Sequence, residues 1–443
     1  MDPDKMTIKR PTKKETLASK QEKKIRKWRL NHFRGRLAEL SPQWWVGAGE
    51  IFGLVVLFLT NFWFLYPFFG HEDRANVFSA PVIPVLASVS ESFTPYSYGI
   101  RLWILVFLLF FPVSFYFFVR AISGRKLTGF ISAFIVSLPI WVFLPLRINL
   151  GLLAQDGAHI ASLTLAPLVC LLLLRFLRRG TFWAGILAGL GATIIALSSP
   201  IGFLVLSIFL GVITFSEMLL GRGRLKLTRF LIVLVLAAGF SAFWYNPKFV
   251  FLTINSPQGQ VVKKTLANLL PVSFFLLPLL GVFGFLLFEN RPQLQPIFIA
   301  FFLTVGFGLF SLGAGVAHPT PSRFLPAFGI SLAFLLGILI TWLFDFLRTS
   351  PKLKRFKIVS SYRRLISFGL IGLIFVLVVA IDVFNSSSLW QLEKTQVLGL
   401  TAEQKVGVWE IKEKTTQLES WIGYTITGLT ALGVAILKTR LGM

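Results

Sequence analysis

Three polar clusters interrupt an otherwise apolar chain, and each holds residue types that can do chemistry. The first is His71-Glu72-Asp73-Arg74. Two adjacent carboxylates beside a histidine can deprotonate an attacking hydroxyl, or hold a divalent cation against a phosphate. Asp73 and Glu72 are the candidate catalytic residues and metal ligands, Mg2+ or Mn2+ being the cation expected, and His71 is a candidate substrate contact. The second cluster runs from Arg147 to Asp156-Gly-Ala-His159. Asp156 stands where a helical run begins and suits an N-cap, its carboxylate accepting a backbone N–H; His159 then falls in the first turn. The third is His318-Pro-Thr-Pro-Ser-Arg323. Arg323, with Arg101, Arg147 or Lys248, can clamp an anionic headgroup through charge-assisted hydrogen bonds. Each cluster has a plainer alternative: a solvated charged loop, a helix cap beside a packed histidine, an arginine pairing with phospholipid.

The elements that must position these clusters are membrane helices. The chain has 443 residues, 55% hydrophobic and only 14% charged, with 47 Phe and 12 Trp. Soluble domains run nearer one-quarter charged, so composition excludes a soluble globular chain and a disordered one. The single cysteine, Cys170, excludes a disulfide framework, a thiolate metal site and a CxxC redox site. A spanning helix needs roughly 20 apolar residues. Uncharged runs of about that length are Ile51–Gly70, Leu102–Val119, Leu127–Leu146, Gly157–Leu174, Gly180–Ser216, Phe230–Pro247, Thr265–Phe288, Pro292–Ser322, Phe324–Phe344, Leu365–Ile381 and Ser420–Leu437. Gly180–Ser216 is too long for one crossing, and Ser198-Ser199-Pro200 divides it, because proline lacks an N–H and disfavours helix at the residue before it. The expectation is an all-α, polytopic transmembrane bundle of about twelve spans. Period-2 alternation is absent, so no span reads as a barrel strand.

Charge orients the bundle. The net charge is +25, which by itself suggests nucleic acid. With the N-terminus inside and spans alternating, however, 33 of the 44 Lys and Arg fall on the inner side, and every inner loop is basic. That is the positive-inside pattern of a cytoplasmic membrane. It predicts both termini in the cytoplasm, membrane lipid as the partner of the basic surfaces, and no nucleic acid. The expected parts are a basic cytoplasmic tail over 1–43, a membrane core over 44–384, an extracytoplasmic segment over 385–419 and a last helix over 420–443. The first span reads as a signal anchor, since a long basic stretch precedes it and its apolar run exceeds an h-region. Within the tail, Lys23–Leu40 has apolar residues at roughly helical spacing and fits either a helix lying on anionic lipid or a disordered arm.

The interiors of the apolar runs carry no Asp, Glu, Lys or Arg; Glu50, Glu217, Glu289, Asp345 and Asp382 fall at their ends. Ion-coupled carriers keep ionisable groups at membrane depth, so that class is disfavoured. Chemistry, if present, belongs to a membrane surface.

In this setting the chain resembles the polytopic membrane glycosyltransferases of the GT-C superfamily. It is closest to bacterial and archaeal membrane proteins labelled as related to 6-pyruvoyl-tetrahydropterin synthase. The residues carrying the resemblance follow an inside anchor helix. They are Glu72-Asp73 in the first outer loop, Gly124-Arg125-Lys126, the stretch Arg147 to His159 leading to Ala166-Pro167-Leu168, Arg175-Phe-Leu-Arg-Arg179, Ala242-Phe-Trp-Tyr-Asn-Pro247 and Ser322-Arg323-Phe324. The likeness covers about residues 45–345. It implies transfer of a sugar from a polyprenyl-phosphate donor to an acceptor at the outer face of a prokaryotic cytoplasmic membrane. A first-loop carboxylate would act as general base or metal ligand, a role that falls on Asp73 and then Glu72. The phosphate-binding role would fall on Arg147 or Arg323. The first outer loop is short for that superfamily, its acidic motif is not Asp-x-Asp, and no large external C-terminal domain is expected. Two alternatives stay open: a transporter or flippase of a lipid-linked saccharide, which needs a polar path such as Thr193, Ser198, Ser199 and Ser207 offer, and a non-catalytic membrane scaffold whose tail recruits a partner.

Overall fold

A computed structural model describes residues 47–66, 80–93, 96–137, 156–221, 223–255, 260, 292–312, 324–349 and 415–440. Every regular element among them is helical: α1 (Ala48–Leu65), α2 (Val82–Ser90), α3 (Tyr96–Ser123), α4 (Lys126–Ser137), α5 (Gly157–Arg179), α6 (Phe182–Ser198), α7 (Pro200–Leu219), α8 (Gly223–Ser241), α9 (Pro247–Asn255), α10 (Gln295–Leu312), α11 (Leu325–Thr349) and α12 (Gln417–Arg440), with a 3-10 turn at Pro292–Leu294. Apolar surroundings force this choice, because a helix satisfies its own backbone where water cannot. Among the described residues five helices are long and apolar enough to cross a membrane: Tyr98–Ser123, Gly157–Arg179, Pro200–Leu219, Leu325–Asp345 and Gln417–Thr439. Shorter apolar stretches lie at Gly49–Trp63, Lys126–Ser137, Phe182–Ser198 and Gln295–Gly308. The chain is a helical membrane protein.

The chain divides into two units, Met1–Ile51 and Phe52–Met443. In the first, the Glu50 carboxylate accepts the Gly47 N–H at 2.9 Å and closes the helix start. In the second, α5 is the most enclosed element, packed by α3, α6 and α7, with most of its length buried. Its ends explain its position. Asp156 caps the start, its carboxylate accepting the His159 N–H at 3.2 Å, as the sequence predicts. Gly180 closes the other end at φ +71°, a conformation that glycine adopts without cost, and its N–H reaches Phe176 O. Phenylalanines fill the space between helices. Phe118 meets Phe209 and Phe334, and Phe209 meets Phe307, at ring separations of 6.4, 5.8 and 5.3 Å. The last helix is the least enclosed. It holds to the end of α8 through Thr427, whose hydroxyl accepts the Phe243 N–H and donates to Gly239 O.

The break at Ser198-Ser199-Pro200 is where the sequence puts it. Ser199 is extended at φ −151° and ends α6, while its hydroxyl accepts the Gly202 N–H at 3.1 Å and starts α7 behind Pro200. Other boundaries differ from expectation. The apolar run Phe230–Pro247 predicts a helix that the structure instead places at Gly223–Ser241. The start moves back because Lys226 and Arg229 find partners inside the bundle. The end moves back because Asn246 accepts the Phe249 N–H at 2.7 Å and opens a separate short helix. Two short helices, α2 and α9, lie outside the expected spans. The expected runs Thr265–Phe288 and Leu365–Ile381, the tail over 1–43 and most of 385–419 fall outside the described residues. Several helices continue past their apolar runs, so Arg101, Glu217 and Asp345 stand within end turns or the adjoining turns rather than in loops.

Gly202 fixes the crossing of α5 and α7. A β-carbon there would lie 2.3 Å from Ser162 Cβ, so the helices approach only because residue 202 has none. Gly202→Ala is expected to destabilise the protein by about 1–3 kcal/mol through overpacking. Ser162→Gly clears the obstruction, so the double variant should recover part of the loss in a detergent melting assay. Strictly additive effects would show that the crossing lies elsewhere.

Candidate functional site

The candidate site is built where α5 begins. His71, Glu72, Asp73 and Arg74 lie outside the described residues, as do Arg147, His318 and Arg323. Arg101, Asp156 and His159 are described, and all three are buried, at 6%, 9% and 0% exposure. They share one corner of the bundle. A β-carbon at Gly157 would lie 2.7 Å from Ile104 on α3, so the two helices touch at that level. Arg101 stands one turn before Ile104 on the same face of α3. The short helix α2 closes the corner: the Trp103 ring N–H donates to Leu86 O at 2.8 Å, and Ile83 lies within 3.8 Å of the same Gly157 position. One turn beyond His159, Ser162 meets Gly202 and the start of α7.

A guanidinium, a carboxylate and an imidazole thus gather at one end of a bundle whose walls are carbon. Arg101 can supply positive charge to a phosphate, and burial strengthens that interaction. Asp156 spends one carboxylate oxygen on the helix cap. His159 has no exposed surface. The carboxylates expected to hold a divalent cation are outside the described residues; among the described residues no group of three His, Cys, Asp or Glu gathers. Deeper in the bundle an apolar gap of about 10 Å³ is lined by Phe115, Phe118, Leu163, Pro167, Phe209 and Ile330. That is room for one water-sized sphere with no polar partner, and it is no headgroup site.

A second polar centre occupies the opposite end of α5, and sequence reasoning missed it. Glu217, 2% exposed on α7, takes the Arg178 Nε–H on Oε1 at 2.8 Å and pairs through Oε2 with Lys226 Nζ at 3.0 Å. The Gln295 amide donates to Oε1 at 2.8 Å and to Ser216 Oγ at 3.3 Å. Lys226 also donates to Glu217 O. Four helices, α5, α7, α8 and α10, meet in this one cluster. Beside it Arg229 donates to Phe176 O and Leu177 O at 3.2 and 2.9 Å, covering the last carbonyls of α5. Arg125 pairs with Asp345 and ties α4's start to α11. Glu217 is the only acid between Asp156 and Glu289, and that isolation among basic residues is the signal that could have found the cluster.

The hydroxyls that could form a polar path are occupied locally. Thr193, Ser198 and Ser207 each donate to the carbonyl four residues back, at 2.9, 2.7 and 2.8 Å. Ser199 caps α7.

No known protein family matches the chain, and no curated protein matches it in sequence.

Proposed function

We propose that the chain is a multi-pass membrane glycosyltransferase of the GT-C kind. It moves a sugar from a polyprenyl-phosphate donor to an acceptor at the extracytoplasmic face of a prokaryotic cytoplasmic membrane. About twelve spans and two cytoplasmic termini complete the scheme. The observation that supports it is the buried Arg101–Asp156–His159 corner at one end of a greasy bundle. The opposite end is rich in cations, as a cytoplasmic end should be. The prenyl tail would lie in lipid beside the helices while the phosphate meets Arg101, with Arg147 and Arg323 as further candidates. As the sugar leaves, positive charge on the phosphate and a base for the acceptor hydroxyl are what the reaction requires. Asp73 is assigned the base, with Glu72 beside it; a divalent cation held there would neutralise phosphate charge. His71 is a candidate sugar contact. The locally bonded hydroxyls give a flippase path no support.

The test has two parts. Membranes holding the full chain should transfer radiolabelled sugar from a polyprenyl-phosphate donor to an acceptor fraction. An Ala75→Cys variant should react with an impermeant maleimide added outside intact cells. Native Cys170 is buried, so the label reports position 75 alone. Labelling only after the cytosol is opened would overturn the scheme.

A further inference from the structure

We propose that the end of the bundle where α5 stops and α8 starts binds an anionic phospholipid of the adjoining leaflet. This is a surface distinct from the Arg101 corner, and it does not depend on the transferase reading.

Six described cations of α5 and α8 gather there: Arg175, Arg178, Arg179, Arg224, Lys226 and Arg229. Among the described residues of α5 to α8, Glu217 is the one acid at that end. The geometry holds the cations close. Arg178 and Lys226 share the Glu217 carboxylate, and Arg229 reaches the last carbonyls of α5. Arg179 follows Arg178 directly, and Arg224 precedes Lys226 by two residues, so both stand at the border of the same cluster. Both are exposed, whereas Arg178 and Lys226 are turned inward. The C-terminal dipole of α5 favours some of this charge, but Arg229 already covers its end carbonyls.

The occupant follows from what lies beside the charges. Leu225, Leu227 and Leu187 are exposed, at 43, 41 and 47%, and Lys438 of α12 stands over the Trp183 ring at 5.1 Å. In a membrane these carbon surfaces meet acyl chains, and the neighbouring guanidinium groups sit at headgroup depth. A phosphate above and hydrocarbon beside it is the chemistry of a phospholipid, and the net positive charge selects an anionic one. A soluble anion would use the guanidinium groups and leave the carbon surface unused.

The experiment uses the full chain and native mass spectrometry of bound lipid, titrating phosphatidylglycerol against phosphatidylcholine. The wild type should retain phosphatidylglycerol preferentially. Joint Arg179→Ala and Arg224→Ala should weaken that binding about thirtyfold. Joint Arg179→Lys and Arg224→Lys should keep most of it. Both side chains stand on the exposed border of the cluster, so lipid-free melting should change little. If the alanine variant fails to fold, the wild type's preference between the two lipids decides alone. Equal retention of both lipids, unchanged affinity in the folded alanine variant, or displacement by millimolar inorganic phosphate would each overturn the proposal.

Discussion

Glu217→Gln is expected to lower stability more than any other single change in the described bundle. The substitution keeps the size of the side chain and removes its charge. Arg178 and Lys226, whose side chains are 11% and 7% exposed, would then share a neutral amide. Removing one partner of a buried ion pair typically costs about 3–5 kcal/mol, because the remaining charge stays desolvated. Here two cations lose the same carboxylate, and Gln295 and Arg178 must share the one remaining carbonyl oxygen. The thermal midpoint in detergent should fall by about 5 °C or more. Removing the whole cluster should do less harm. Glu217→Leu with Arg178→Met and Lys226→Met leaves no orphaned charge, and such replacements are often neutral. A Glu217→Gln variant that melts with the wild type would show that the carboxylate does not hold these helices together.

This cluster shows where the sequence stopped being legible. Single-helix features were readable. Pro200 behind two serines marks a break because the missing N–H and the serine cap act within four residues. Asp156 before a helical run marks a cap for the same reason. Glu217 lies 39 residues from Arg178 and 78 from Gln295, and no local pattern links them. A charge at the end of an apolar run looks like a solvated end. Only the packing of four helices decides whether it is buried.

The same limit explains the misplaced helix. A scan for uncharged runs assumes that lysine and arginine lie outside helices. Lys226 and Arg229 break that assumption, because one pairs with Glu217 and the other covers foreign carbonyls. The candidate site was legible in kind and only partly in place. Arg101 was expected just before a helix, yet it stands within α3, on the face that meets α5. His159 was expected on a first turn, which is correct; that it is wholly enclosed is a matter of the helices packed on α5, which no local pattern reveals.

Asp73→Asn combined with Glu72→Gln is expected to give the largest loss of activity. A positioned general base contributes about 10²–10⁴-fold to rate, so transfer in membranes should fall by that range. Both changes are nearly isosteric, so the melting midpoint should stay at the wild-type value. The single variants separate the roles. If Asp73 is the base, Asp73→Asn lowers kcat and leaves KM for the donor near its original value. If the pair holds a cation, the loss should shrink as Mn2+ is raised, because weakened ligation is answered by mass action. Arg101→Gln supplies the contrast. Without its guanidinium the corner should grip phosphate less tightly, so on the proposed reading KM for the lipid donor is expected to rise. Arg101→Lys restores less than the original because a single ammonium cannot chelate two oxygens. Full transfer by the Asp73→Asn, Glu72→Gln double variant would remove the first-loop carboxylates from the chemistry. The Arg101 corner would then have to find its base elsewhere; Asp156 is a described carboxylate at the start of α5, with one of its oxygens already committed to the helix cap.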